Sequence, residues 1–398
     1  MIDRRTDAST LYINVYAAQA LTSNQFTQSA EDVEKIRFGL FGEVGGILAG
    51  VKKASRDRLP VSQKDAIAEE LGDALWYLFA LAWSLSIDAE RIAAIAIKHV
   101  RETVGICGEL PPGSPSFRHL DSAAQANAAP EDGLQATMLT RIAASAARLT
   151  IASDEDETSC GALLGDLALV CAAFDDSLEE IAQANLSKTA QRWPGVNPPD
   201  YGAHLDDDAE LHEFERMPRN FCMIFEERTV NHKTYVVQRM GDVYIGDPLT
   251  DNHHKQDDYR FHDAFHLAYL AHLTWSPVLR GLMKRKRKSQ PKTDENQDGA
   301  RAMIIEEGIA TWIFNYADRN KDTDYAAIKP GQLPYSLLKQ ISSMVVGYEV
   351  DARPLWQWER AIIDGFAMFK ELKKHRNGRI RVDMDAHTIE FFPLEPPK

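Results

Sequence analysis

The stretch GLFGEVGGILAG, residues 39–50, belongs to a segment whose apolar residues recur at helical spacing. The recurring apolar positions are Ile36, Leu40, Val44, Ile47, Leu48 and Val51. A second set downstream consists of Ile67, Leu71, Ala74, Leu75, Leu78 and Phe79. Because an α-helix turns once every 3.6 residues, each set marks one buried helix face. Residues 10–104 are therefore predicted to be almost wholly helical.

The rest of the chain divides into further segments by composition. The chain has 398 residues, enough for two or three domains. Pro, Gly, Ser and Ala dominate residues 108–133, which predicts a linker between a helical repeat at 1–107 and another at 134–195. Residues 218–398 begin with alternating β-branched and aromatic residues and end in a predicted hairpin. We expect a mainly α fold that ends in an α+β C-terminal domain.

Bulk composition indicates a soluble protein. The chain is 44% apolar and 26% charged, and it contains no apolar run of the roughly 18–20 residues that a membrane helix needs. Its first residues lack the apolar stretch of a secretory signal. Four widely spaced cysteines indicate reduced thiols, and a net charge of −14 argues against broad nucleic-acid binding. We expect a cytoplasmic protein without a membrane partner.

An internal repeat joins the two helical segments. LGDALWYLFALAWSLSIDAERIAAIAIKHV, residues 71–100, matches LGDLALVCAAFDDSLEEIAQANLSKTAQRW, residues 164–193, with a gap of about four residues. The shared L-G-D start and the ordered apolar positions favour duplication over chance similarity between amphipathic helices. We expect the two copies to pack face to face within the chain.

Three acids in the first copy form a candidate metal site. Glu70 and Asp73 are three residues apart and project from one helix face, and Glu43 lies on the preceding helix. Antiparallel packing of these helices would bring the three carboxylates together. Such close negative charges need a cation, and an oxygen-only ligand set suits Mg²⁺ or Mn²⁺. The alternative is that they are solvated acids near helix starts.

With the flanking GLFGE and ELGD, residues 34–104 resemble the MazG-like nucleoside triphosphate pyrophosphohydrolases, whose motif is E-x-x-E followed by E-x-x-D. The resemblance implies a four-helix bundle, dimeric or in tandem, and a homo-oligomer is expected. It implies hydrolysis of a (d)NTP to the monophosphate and pyrophosphate. It also implies that Glu43, Glu70 and Asp73 bind Mg²⁺ and act in catalysis.

The chain departs from this family pattern in both copies. Gly46 stands where the motif has its second Glu, and the neighbouring Glu69 points away from Glu70 on the helix. In the second copy Leu163 replaces an acid and leaves Asp166 alone. That copy nevertheless retains the N-x-x-K residues of the family. The residues predicted to bind substrate are Lys52, Asn185, Lys188 and Arg192.

The two copies are therefore complementary, which predicts one composite site made of acids from the first and cations from the second. The alternative function is a degenerate nucleotide-sensing module that regulates a C-terminal effector, either a metal hydrolase or a ribonuclease.

DDYRFHDAFHLAYLAHL, residues 257–273, suggests a second site. Asp258, His262 and His266 follow one another at intervals of four residues, and Asp263 lies beside them. Histidines spaced this way on a helix often bind a metal. Glu306 and Glu307 lie in an apolar segment downstream and could complete the site as ligands or as a general base. We therefore predict that a second metal can bind here.

Two other interpretations of this second region stay open. In one, a glutamate pairs with Arg301 or Arg260 and the histidines are hydrogen-bonded in the core. In the other, Arg260 and His266 resemble the R-x(4–6)-H motif of HEPN ribonucleases, and the basic run KRKRKS at 284–289 could contact RNA.

Overall fold

The computed structural model describes residues 10–56, 63–107, 113–126, 133–194, 200–205, 210–254, 256–320 and 324–394. The chain forms two compact units, Met1–Gly195 and Val196–Lys398. This division falls at the end of the predicted second helical repeat.

Helices make up the regular structure of the N-terminal unit. Their bounds are α1 Ile13–Ala20, α2 Ala30–Arg56, α3 Gln63–Ser84, α4 Ala89–Thr103, α5 Phe117–Gln125, α6 Leu134–Arg148, α7 Asp156–Ala173 and α8 Leu178–Arg192. Most of the predicted apolar positions on α2 and α3 are buried, whereas Leu48 is exposed and Val51 is only partly buried. The mainly α fold is thus confirmed.

Helix α5 lies inside the segment that was predicted to be a linker. Ser116 accepts a hydrogen bond from the backbone N–H of His119, and the His119 ring accepts one from the backbone N–H of Ser116. This reciprocal cap satisfies two helix-end donors, and Phe117 and Leu120 are then buried on the unit's core. The linker prediction was wrong for residues 117–125, and residues 108–112 and 127–132 lie outside the described part.

Two helix trios, α2–α4 and α6–α8, have matching local features. Helices α3 and α7 are each followed by a non-glycine residue with positive φ, Ser86 at 58° and Asp175 at 55°. Two residues later, Asp88 and Ser177 cap the next helices. The two trios pack against each other in a reciprocal way: α3 of the first contacts α8 of the second, and α7 of the second contacts α4 of the first. The two copies of the repeat therefore contact each other, while their origin by duplication stays a prediction.

The C-terminal unit combines a sheet with helices. The strands are β1 Asn220–Val230, β2 Lys233–Met240, β3 Val243–Leu249, β4 Asn377–Asp383 and β5 Thr388–Pro393. They form an antiparallel sheet in the order β3-β2-β1-β4-β5. The turn between β1 and β2 has two residues with positive φ, Asn231 and His232, as tight hairpins require. The predicted strands and closing hairpin are confirmed.

Helices cover this sheet and position the second candidate site. They are α9 Asp263–Leu273, α10 Pro277–Leu282, α11 Pro291–Asn296, α12 Ala300–Arg319, α13 Tyr335–Met344 and α14 Leu355–His375. Helices α9 and α14 pack against each other and against β4 and β5. Every residue of α9 is buried. Its polar side chains must therefore find partners within the protein.

Within the described residues, no single helix is long and apolar enough to cross a membrane. Only the bent pair α7 and α8, at 106° to each other, reaches that length and composition together.

Candidate functional site

The acids predicted on α2 and α3 do come together. Glu43 is partly buried and its carboxyl group is hydrogen-bonded to that of Glu70. Burial, the charge of Asp73 and the contact with Glu70 raise the pKa of Glu43 to about 7. Neighbouring carboxylates repel each other, so the protonated form of Glu43 is favoured more than that of an isolated glutamate.

Gly46 leaves space for one of these carboxyl groups. A Cβ atom at position 46 would overlap Oε2 of Glu70. The Glu70 carboxylate therefore fills the space where a side chain at position 46 would begin. The sequence predicted that one metal ligand is lost at Gly46, and that stays a prediction. The structure adds that the Glu70 carboxylate packs against the Gly46 backbone.

The second trio contributes a cation and an amide to the same cluster. Nζ of Lys188 lies 2.6 and 2.8 Å from the two carboxylate oxygens of Asp73 and 3.3 Å from Oε1 of Glu69. Nδ2 of Asn185 donates to Asp73 at 3.3 Å. The Tyr16 hydroxyl in turn donates to Oδ1 of Asn185 at 2.8 Å. Residues of α2, α3 and α8 thus form one polar cluster, which we call the composite cluster: Glu43, Glu69, Glu70, Asp73, Asn185 and Lys188.

The sequence assigned no role to Glu69 of this cluster or to Tyr16, which donates a hydrogen bond to Asn185 from outside it. Glu69 was set aside because it points away from Glu70, yet it contacts Lys188. Tyr16 lies on α1, and no motif marked it. Gly72, from the L-G-D motif, is the sequence feature that could have indicated close packing of α3 and α8. Because it has no side chain, α3 can approach Asn185 closely.

Of the other two residues predicted to bind substrate, Lys52 is exposed and Arg192 is buried. Lys52 is exposed on α2. Arg192 is buried at the end of α8, four residues after Lys188, with its guanidinium 5.1 Å from the centre of the Trp193 ring. Their roles toward a nucleotide stay predictions.

The corresponding acid of the second trio, Asp166, is neutralised within the protein. Its carboxylate binds His99 at 2.8 Å, the Ser145 hydroxyl at 2.6 Å and the Arg141 guanidinium at 3.3 Å. Burial raises the pKa of Asp166, but these hydrogen bonds and charges outweigh burial and lower the pKa below its usual value. Asp166 therefore has partners within the protein, as Asp73 of the first trio has in Lys188 and Asn185.

The second candidate site centres on two histidines at the start of α9. Nδ1 of His262 lies 2.9 Å from the carbonyl oxygen of Tyr259, and Nδ1 of His266 lies 2.8 Å from Oε1 of Glu306. Each ring thus donates Nδ1–H to the protein and presents Nε2 on its other side. Glu306 also accepts hydrogen bonds from the Ser276 hydroxyl and from the backbone N–H of Val278.

Two carboxylates face the Nε2 atoms. Oδ1 of Asp263 lies 3.0 Å from Nε2 of His262. Oε2 of Glu307 lies 3.6 Å from Nε2 of His262 and 3.4 Å from Nε2 of His266. Burial lowers the pKa of His262, but the nearby carboxylates outweigh it and raise the value to about 9. The structure therefore brings together His262, Asp263, His266, Glu306 and Glu307, as predicted.

Arg260 and Asp258 belong to a different cluster. The Arg260 guanidinium binds Asp251 at 2.7 Å, Asp258 at 2.8 Å and Glu227 at 2.9 Å. Asp258 has a positive φ of 69°, and residues 259–261 form a 3₁₀ turn. Asp258 is therefore not on the helix face of His262 and His266, so this part of the spacing prediction was wrong. The buried ion pairs of Arg260 also remove the basis for the ribonuclease-type motif.

Much of the basic run at 284–289 is used in internal contacts. Arg287 is buried and binds Asp298 and Glu349, and Arg285 donates to the backbone carbonyls of Glu213 and Arg216. Lys288 lies 2.7 Å from Asp294. These contacts stabilise loops around α11, and contact of the run with RNA stays a prediction.

The fold and these two clusters define a two-unit protein with an all-helical acid site and an α+β histidine site. Residues 203–395 match the family model of the MazG C-terminal domain. The C-terminal unit is therefore similar to this domain, and the match supports the MazG-like family that the sequence suggested. It does not cover residues 34–104, so the motif in the N-terminal unit stays a prediction. No curated protein and no solved structure matches the chain.

Proposed function

We propose that the N-terminal unit is a Mg²⁺-dependent nucleoside triphosphate pyrophosphohydrolase that converts a (d)NTP and water into the monophosphate and pyrophosphate. The observation that carries the proposal is the contact between Asp73 of the first trio and Lys188 of the second. Acids suited to a metal and a cation suited to a phosphate therefore lie in one cluster. The MazG-like family of the chain supports the same general role.

The residues present suit magnesium. Glu43, Glu70 and Asp73 offer carboxylate oxygens, which Mg²⁺ and Mn²⁺ prefer over nitrogen or sulfur ligands. Burial and the neighbouring carboxylates Asp73 and Glu70 raise the pKa of Glu43, and a bound cation would favour its ionised form. When bound, Mg²⁺ would neutralise the triphosphate and polarise its phosphoryl group.

The protein's own residues have distinct tasks in this reaction. The Glu43 carboxylate lies beside Glu70 and can accept the proton of the attacking water. That water attacks the α phosphorus, the bond from this phosphorus to the α–β bridging oxygen breaks, and pyrophosphate leaves. Lys188 holds Asp73 in the cluster and can turn its ammonium group toward the phosphates. Tyr16 orients the Asn185 amide through their 2.8 Å hydrogen bond.

The experiment is product analysis after incubation with each common (d)NTP and Mg²⁺. We expect monophosphate and pyrophosphate in equal amounts, and a loss of turnover of about 10²-fold or more in Glu43→Gln. Glu102→Gln is the matched control, because Glu102 is exposed on α4 and pairs only with a surface lysine four residues away among its described ion pairs. Release of the nucleoside diphosphate and orthophosphate would refute the proposal, and so would full activity in Glu43→Gln.

A nucleotide sensor that does not cleave is the second candidate. The observation that favours it is that Lys188 and Asn185 already bind Asp73, which gives this acid partners without a metal. A sensor would show thermal stabilisation by a triphosphate without pyrophosphate release, and Glu43→Gln would leave that stabilisation intact.

A further inference from the structure

We propose that α9 and α12 hold a divalent transition metal, bound by Nε2 of His262, Nε2 of His266, Oδ1 of Asp263 and Oε2 of Glu307. We further propose that the solvent-facing side of this metal is open to a groove along α12. Both statements concern the C-terminal unit and are independent of the function proposed for the N-terminal unit.

The first argument is the convergence of ligand atoms. Ligand atoms of His262, Asp263 and His266 all lie within 4.8 Å of one another, and the three residues are buried. Bonds of about 2.0–2.1 Å to zinc place neighbouring tetrahedral ligands about 3.3 Å apart. The separations of 3.0, 3.4 and 3.6 Å among these nitrogen and oxygen atoms match that spacing. A single first-row metal ion can therefore be held by His262, Asp263 and His266. Glu307 supplies the fourth ligand from α12, because its Oε2 lies 3.6 and 3.4 Å from the Nε2 atoms of the two histidines.

The second argument is an unused nitrogen atom. Nε2 of His266 is fully buried, and among the described residues it makes no hydrogen bond of normal geometry. Its nearest carboxylate oxygen, on Glu307, lies at 3.4 Å. Buried polar atoms in native proteins are almost always satisfied, so an atom of this kind indicates a ligand.

The third argument is the set of residues behind the ligands. The Glu306 carboxylate accepts from Nδ1 of His266, the Tyr259 carbonyl accepts from Nδ1 of His262, and the Gln238 amide donates to Asp263 at 2.5 Å. These bonds fix the imidazoles with Nε2 directed at the common centre. Metal-bound histidines characteristically donate their other ring N–H to a carboxylate or a carbonyl. A mixed set of imidazoles and carboxylates also favours zinc, cobalt, iron or manganese over magnesium.

Access to the centre runs past Glu307. The Glu307 side chain is 43% exposed, whereas those of His262, Asp263 and His266 are at most 8% exposed. Glu307 also lines a groove of about 730 Å³ on α12, together with Gly308, Thr311, Trp312 and Asn315. His262, Asp263 and His266 therefore bind the metal on its buried side. A small anion can reach the opposite side from the groove.

Cobalt(II) absorption spectroscopy tests the proposal. The full-length protein is stripped with a chelator, saturated with excess Mg²⁺ to occupy oxygen-only sites, and titrated with Co²⁺. We expect one equivalent to bind with visible d–d absorption, and no such band in His262→Ala. Glu306→Gln should keep the band but weaken Co²⁺ affinity about 10–100-fold. His375→Ala, on the exposed end of α14, is the matched control and should bind like the wild type.

Azide tests the open side, because it should shift the Co²⁺ spectrum of the wild-type protein. An unshifted spectrum would overturn the open position. Absence of the band in the wild type, or its retention in His262→Ala, would overturn the site. Glu307→Gln tests whether misfolding explains a loss of Co²⁺ binding. Because Glu307 is partly exposed, this substitution should leave the fold intact. Its circular dichroism should match the wild type while its Co²⁺ affinity falls.

Discussion

At the scale of single residues, position 46 decides how the acid cluster is built. Sequence comparison with the E-x-x-E motif indicates a missing ligand there. In the structure the Glu70 carboxylate fills the space next to the Gly46 backbone. The glycine therefore shapes the cluster, and adding back a side chain does not simply restore a ligand, because Glu70 must leave first.

We predict that Gly46→Ala lowers pyrophosphate release about 10-fold or more, because small misplacements of catalytic groups have large effects on rate. Stability should change little, since Glu70 is a flexible side chain that can move. Gly45→Ala is the control, because a Cβ at position 45 meets nothing within 4 Å. Steady-state kinetics and thermal unfolding of both variants check the prediction. Full turnover in Gly46→Ala would show that the position of Glu70 is unimportant.

From the sequence, the residues that lie close together were predicted more accurately than their hydrogen-bond and ion-pair partners. Helical spacing placed Glu70 and Asp73 on one face, and His262 and His266 followed the same rule. Asp258 broke that rule because a residue with positive φ and a 3₁₀ turn precede α9. The partners of Arg260 come from β1, from the segment after β3 and from Asp258, so local spacing carried no signal for them.

At the scale of secondary-structure elements, glycines set how closely the two trios pack. A Cβ at Gly165 would lie 3.0 Å from the backbone carbonyl oxygen of Ala96. A Cβ at Gly161 would overlap the side chain of Ile95. These glycines are one helical turn apart on α7, where it crosses α4. The close crossing brings His99 of α4 to Asp166 of α7.

We predict that Gly165→Ala lowers the free energy of unfolding by about 1–3 kcal/mol, because a methyl group there must displace backbone. Gly42→Ala should instead raise it by up to about 1 kcal/mol, since position 42 on α2 is exposed and alanine favours helix. Urea unfolding of both variants measures the difference. Equal stabilisation by both alanines would contradict close packing of α4 and α7.

Periodicity predicted α2, α3 and the strands because each buries one regular face. It missed α5, which is only nine residues long and follows a Pro- and Gly-rich stretch. That helix depends on the cap at Ser116 and on tertiary burial of Phe117. Neither feature produces a long apolar repeat, so composition alone indicated a linker.

At the scale of the whole molecule, the two units carry different donor chemistry. The composite cluster of the N-terminal unit offers oxygen, amide and ammonium groups, which suit Mg²⁺ and phosphates. The C-terminal unit offers two imidazoles and carboxylates around a buried centre. Two chemically distinct sites should respond separately to mutation.

The most direct test of this account is pyrophosphate release from the common (d)NTPs with Mg²⁺, measured for the wild type, Glu70→Ala and His262→Ala. We predict that release is lost in Glu70→Ala and retained in His262→Ala, because the acids of α2 and α3 carry the reaction. Undiminished release in Glu70→Ala, or loss in a folded His262→Ala, would contradict the assignment of hydrolysis to the N-terminal unit.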